Sequence, residues 1–172
     1  MQDWYLTAFE LIDMRSFSNL WYWIALAVVW SSSSHWVLGV PFDMVTRARR
    51  HGGEAEMDLH DIVRVNVNRI LFITDFTGIW IIGFGSFGLT ALVLLGFVYE
   101  VEFAQAVFLL AAPMSLVFWL SVRTAHGIRE ADGADLYRRL HRHRFITQVI
   151  GMISIFITAF WGMWQNMSHG VL

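Results

Sequence analysis

Residues 70–98 read ILFITDFTGIWIIGFGSFGLTALVLLGFV, a run with one formal charge, Asp75, set directly after Arg69. A bilayer crossing needs about 20 mainly apolar residues at roughly 1.5 Å each, and this run exceeds that. Working outward, three more blocks have the same character, at about 20–40, 103–122 and 145–166. The whole chain of 172 residues is 56% hydrophobic and only 15% charged, against about 25% charged in soluble domains. The pattern predicts an all-α polytopic membrane protein with four transmembrane helices in a single membrane domain, 1–172. Loops 41–69 and 123–144 join the spans. A secreted domain, a nucleic-acid reader and an ordinary soluble enzyme are excluded as readings.

Arginine sets the expected orientation. The 41–69 loop holds Arg47, Arg49, Arg50, Arg64 and Arg69, and the 123–144 loop holds Arg123, Arg129, Arg138, Arg139, Arg142 and Arg144. The twelfth basic residue is Arg15, and there is no lysine. Basic residues in short loops stay cytoplasmic. An even number of spans puts both arginine loops on that side and both termini outside, N-out and C-out. No cleavable signal peptide is expected, since the first residues lack a basic region. Residues 3–15 read as an outer interfacial amphipathic helix, with Asp3, Thr7, Glu10 and Asp13 on one face. Trp21, Tyr22 and Trp23 form an outer aromatic belt, and Trp36 and Trp119 mark the inner interface.

The loops divide at glycine. Residues 42–51 read as a basic helix ended by Gly52-Gly53, and 54–69 as a helix running into the second span. The alternation over Val63 to Asn68 also permits a short strand. Asp132-Gly133 breaks the second loop before a basic helix from Leu136 to Phe145. The runs Arg47, Arg49, Arg50 and Arg138, Arg139, Arg142, Arg144 are expected to meet anionic lipid or a protein partner, at about 1 kcal/mol per basic residue near such a surface.

Candidate functional residues are few. The absence of cysteine removes disulfides, thiolate nucleophiles and cysteine-held clusters. Gly83, Gly85 and Gly88 fit a dinucleotide fingerprint as a bare pattern, but no strand precedes them and they lie inside a span. Small residues recur on span four at Gly151, Ser154, Thr158 and Gly162. Such stripes let helix backbones approach closely, either within the bundle or against a partner. His35, Asp75, Arg123 and Gln148 fall at one depth and are expected to form an intramembrane polar layer, as a register clamp or as a proton relay. His35 and His126 are the residues on which a haem would be placed. Histidines near Glu54, Glu56, Asp58 and Asp61 offer zinc a weak alternative. No spacing here requires a cofactor.

Four segments carry a resemblance: Ile12 to Trp21 (IDMRSFSNLW), Ser34 to Pro41 (SHWVLGVP), Asn66 to Ile70 (NVNRI) and Gly162 to Asn166 (GMWQN). With these the chain resembles a family of small bacterial inner-membrane proteins, often labelled a component of the SUF iron–sulphur assembly complex. The resemblance implies a multi-pass protein of the bacterial inner membrane and transfers no catalytic residue. The expected function is a non-catalytic accessory subunit or scaffold, packed in a larger complex or homo-oligomer and against lipid. The alternatives are a homo-oligomeric channel or proton-coupled carrier using Asp75 and His35, and a haem- or metal-binding redox subunit.

The topology is directly checkable. Cysteines introduced at positions 102 and 139 should label from opposite faces of the membrane. Labelling of position 139 by an impermeant reagent in intact cells would overturn the orientation.

Overall fold

The computed structural model describes residues 16–169; the amphipathic helix expected at 3–15 lies outside them. A 3-10 turn at Ser16–Ser18 leads into helix α1, Leu20–His35. Asn19 caps α1, its side-chain oxygen accepting from Trp21 N–H at 3.0 Å, as short polar residues at helix starts do. The helix stops at His35, short of the expected end of the span at residue 40. Pro41 has no N–H and disfavours helical backbone at Val40. The chain instead turns back as a hairpin, β1 (Trp36–Val37) antiparallel to β2 (Val40–Pro41), with Trp36 opposite Pro41 and Val37 opposite Val40. Leu38 and Gly39 form the turn at φ 52° and 76°, the left-handed pair that closes two-residue hairpins. Leu38 tolerates that backbone because its side chain is buried in the core.

Helix α2, Phe42–His51, follows at once. Asp43 lies in its first turn and Arg49, Arg50 and His51 in its last, each complementing the helix dipole. Phe42, Val45 and Ala48 share its buried face. Gly52 and Gly53, both at positive φ, end α2 and start α3, Gly53–Val93. A π-helical turn at Leu94–Val98 extends α3. The Val63–Asn68 alternation is helical throughout, since period-two patterning over six residues yields to the helix on either side. After Tyr99 to Val101 come α4, Glu102–Glu130, and α5, Leu136–His169, joined by a turn with Asp132, Gly133 and Asp135 at positive φ.

The helices Gly53–Val98, Glu102–Glu130 and Leu136–Ser168 are long and apolar enough to cross a membrane. The first of them, at 46 residues, is about 69 Å long, more than twice a hydrocarbon core of about 30 Å. The 16 residues of α1 reach about 24 Å.

Most of the buried core lies outside the apolar runs. Leu59, Val63, Val67 and Leu71 repeat every fourth residue along the lower half of α3. They pack with Val37 and Val40 of the hairpin, Val45 of α2, Ala125 and Ile128 of α4, and Leu136 and Leu140 of α5. The two arginine loops are therefore helical extensions that close into a packed head. A smaller cluster of Leu26, Trp30 and Val117, with Trp23, Leu110, Met114 and Ile150 against it, ties α1 to α4 and α5. Between Leu71 and Gly96, α3 has no buried residue.

This distribution predicts unequal mutational costs. Leu140→Ala, fully buried in the head, should destabilise by about 2–5 kcal/mol. Phe84→Ala, 69% exposed, should change stability by no more than about 0.5 kcal/mol. Unfolding titrations in one detergent check both, and equal costs would contradict a core seated in the head.

Candidate functional site

The described residues hold three groupings from which a function can be built: a hydrogen-bonded node, an unpartnered apolar face and an arginine-lined head. The node joins the end of α3, the start of α4 and the end of α5. Gln105 is buried. Its Nε2 donates to Gly96 O at 2.8 Å, and its Oε1 accepts from Trp161 Nε1 at 3.0 Å and Gln165 Nε2 at 2.6 Å. Gly96 permits this approach, since a Cβ there would lie 3.0 Å from the Gln105 backbone nitrogen. Nearby, Phe17 N–H donates to Glu102 Oε1 at 2.7 Å and Ser18 Oγ to Asn166 Oδ1 at 2.7 Å. The start of α1 is thus held beside the start of α4 and the end of α5. Sequence reasoning missed Gln105. Its signal was its position as the one polar residue between Glu102 and Ser115.

The expected layer of His35, Asp75, Arg123 and Gln148 is not joined by hydrogen bonds or ion pairs among the described residues. His35 is exposed, and its ring meets that of its neighbour Trp36 edge-on at 6.1 Å. Gln148 is half-buried on α5. The Arg123 guanidinium lies 5.5 Å from the centre of the Trp119 ring. Asp75 is exposed on α3. Helical steps of three and four from it reach Gly78, Ile82, Gly85 and Ser86. A Cβ added at Gly78, Gly83, Gly85 or Gly88 would meet nothing within 4 Å.

The stripe on α5 faces the protein itself. A Cβ at Gly151 would come within 2.7 Å of Trp30, and one at Gly162 within 3.2 Å of Phe17. Ser154 Oγ donates to Leu109 O at 3.4 Å, and Thr158 is fully buried. This face lies against Phe17, α1 and α4.

The head carries the arginines. Arg47, Arg49 and Arg50 are exposed on α2. Arg138 pairs with Asp135 at 2.6 Å. Arg144 lies 3.8 Å from the centre of the Phe42 ring, a cation–π contact that joins α5 to α2. Two clefts open between the helices. One of about 400 Å³ is lined by His60, Arg64, Asn68, Arg129 and Asp132, with Arg64 bonded to Asp61 at 3.0 Å. The other, of about 640 Å³, is lined by Trp119, Arg123, His126, Glu130, Arg139 and Arg142. Arg139 lies across Gly127, where a Cβ would sit 2.8 Å from its Nη1.

His126 lines this second cleft and His35 does not. His143 is buried, its Nδ1 3.2 Å from Thr124 Oγ1. Among the described residues no group of three His, Asp or Glu side chains is placed to hold a metal ion. No family model matches the chain, and no curated protein or solved structure matches it.

The Gln105 node and Asp75 should respond oppositely to mutation. Gln105→Leu leaves the Gly96 carbonyl and the Trp161 indole N–H without their partner, at a cost of about 1–3 kcal/mol. Asp75→Asn, which breaks no hydrogen bond or ion pair among the described residues, should leave unfolding of the isolated protein unchanged. The same unfolding titrations measure both.

Proposed function

We propose that this chain is a non-catalytic accessory subunit of the bacterial inner membrane whose second membrane helix docks on a partner membrane protein. The chain crosses four times, N-out and C-out, and its arginine head lies on the anionic cytoplasmic leaflet. Support for four crossings comes from α1: it begins beside Glu102 and Asn166 and ends at a hairpin in the head. With the hairpin it therefore runs from one end of the bundle to the head, as α4 does from Glu102 to Ala125. Local thinning of the bilayer accommodates a short apolar helix of this kind.

The observation that carries the docking reading is Asp75, an exposed carboxylate without a hydrogen-bond or ion-pair partner among the described residues, within a run that would otherwise suit lipid. An aspartate at the middle of a span costs about 2.5–3.5 kcal/mol on insertion scales. A partner helix that presents a cation or hydrogen-bond donor offsets that cost. Gly78 and Gly85 on the same face let its backbone come close. Lipid alone would cover the phenylalanines and isoleucines of α3, but it gives the carboxylate nothing. The resemblance to iron–sulphur assembly components suggests a membrane tether for such machinery.

Complex retention tests this. Asp75→Ala and Gly85→Leu should each release the native-membrane complex, whereas Phe156→Ala on the lipid-facing side of α5 should not. A wild-type particle of one 19.9 kDa chain after mild extraction would refute docking. A particle built of this chain alone, with ion flux in liposomes that Asp75→Asn abolishes, would replace docking with the carrier reading.

A further inference from the structure

We infer that the cleft between α4 and α5 is a binding site for the headgroup of an anionic phospholipid carrying two phosphodiester groups. The inference deepens the proposed orientation on the leaflet and is independent of the docking face on α3. Three guanidinium groups, from Arg123, Arg139 and Arg142, line the cleft beside one carboxylate, Glu130. None of the three arginines has an ion-pair partner among the described residues, where the salt bridges are Arg64–Asp61 and Arg138–Asp135. Three positive charges against one negative leave a surplus of two, which two phosphodiesters balance. Guanidinium groups suit phosphate because their planar forks donate two parallel hydrogen bonds.

The depth of the cleft selects a lipid over a free anion. Arg123 is the first charge after the apolar run of α4, and Trp119 one turn earlier lies against it. Tryptophan beside arginine at the end of a span marks headgroup level. Leu120 and Ile146 complete the wall, an apolar surface fit for the glycerol and upper acyl chain. The cleft of about 640 Å³ lies within the usual size of small-molecule sites, about 300–1,000 Å³. Gly127 leaves room for the Arg139 guanidinium to lie on the α4 backbone at the wall of the cleft, its Nε donating to Ala134 O at 3.4 Å.

Native mass spectrometry of the purified chain in detergent tests the inference, with cardiolipin, phosphatidylglycerol, phosphatidylcholine and inorganic phosphate as probes. Cardiolipin should be retained above the other lipids. Arg123→Gln and Arg142→Gln should each weaken it by about tenfold, the scale of one lost hydrogen bond to a charged group. Gly127→Ala should weaken it several-fold with thermal unfolding unchanged, because the added methyl displaces only the free end of Arg139. Arg50→Gln, which removes an equal charge outside the cleft, should leave it unaltered. Equal losses for Arg50→Gln and Arg142→Gln would reduce the site to general surface attraction and overturn it. Displacement of cardiolipin by millimolar inorganic phosphate would overturn the lipid as the source of the anion. Unaltered binding by Gly127→Ala together with loss of fold in both arginine variants would also overturn it. Since the chain is tested alone, failure here leaves the docking of α3 standing, and failure of docking leaves this site standing.

Discussion

The architecture depends on apolar burial where the chain is in contact with water. Within hydrocarbon, an apolar side chain gains little by leaving lipid for protein, so hydrophobicity cannot order the helices there. In the head it can. The four-residue repeat of Leu59, Val63, Val67 and Leu71 buries a stripe against the hairpin, α2 and the ends of α4 and α5. At the opposite end, hydrogen bonds through Gln105, Glu102 and Asn166 take the place of the core. Between these ends Leu26, Trp30 and Val117 tie α1 to α4 and α5, while α3 between Leu71 and Gly96 buries no residue.

Much of this architecture was readable from the residues. Three of the four long apolar runs lie in helices long and apolar enough to cross a membrane, and the glycine pair at 52–53 and the Asp132-Gly133 break mark real ends of helices. The basic helix 42–51 and the continuity of 54–69 with the second span follow from the same signals. The hairpin was not legible, because Trp36 to Val40 are as apolar as a span and only Pro41 argues otherwise. Nor was the head core. Its stripe on α3 is spread among Asp58, His60, Asp61 and Arg64, so composition reads as a charged loop where the fold makes an amphipathic helix. The candidate layer failed to assemble as a network for a related reason. Depth along a span can be counted from its last charge, but the rotation of each helix about its own axis cannot. Asp75 and His35 are both exposed, and no hydrogen bond joins them.

The arginines divide by what surrounds them. Arg64 and Arg138 are neutralised by carboxylates three residues away, as exposed pairs on helices are, with small energetic effect. Arg144 is spent on an aromatic ring inside the fold. Arg123, Arg139 and Arg142 line one cleft with no ion-pair partner among the described residues. A surplus of like charge in one place is unfavourable by itself, so its clustering is best understood as complementarity to an anion outside the chain.

The unbroken length of α3 has a geometric consequence. Arg64, Asn68, Asp75, Ile82 and Ser86 are separated by steps of four and seven, so they form one line along the helix. Arg64 and Asn68 belong to the cleft in the head, and Asp75 and Ile82 to the exposed membrane face. With neither proline nor chain break over Gly53–Val93, the helix behaves as a shaft. Asp75 and Arg64, about three turns below it, keep a fixed angular relation along the helix. Above Leu71 the helix buries no residue before Gly96, whereas the head below is packed. The exposed face of α3 and the cleft lined by Arg64 and Asn68 therefore lie on one continuous helix.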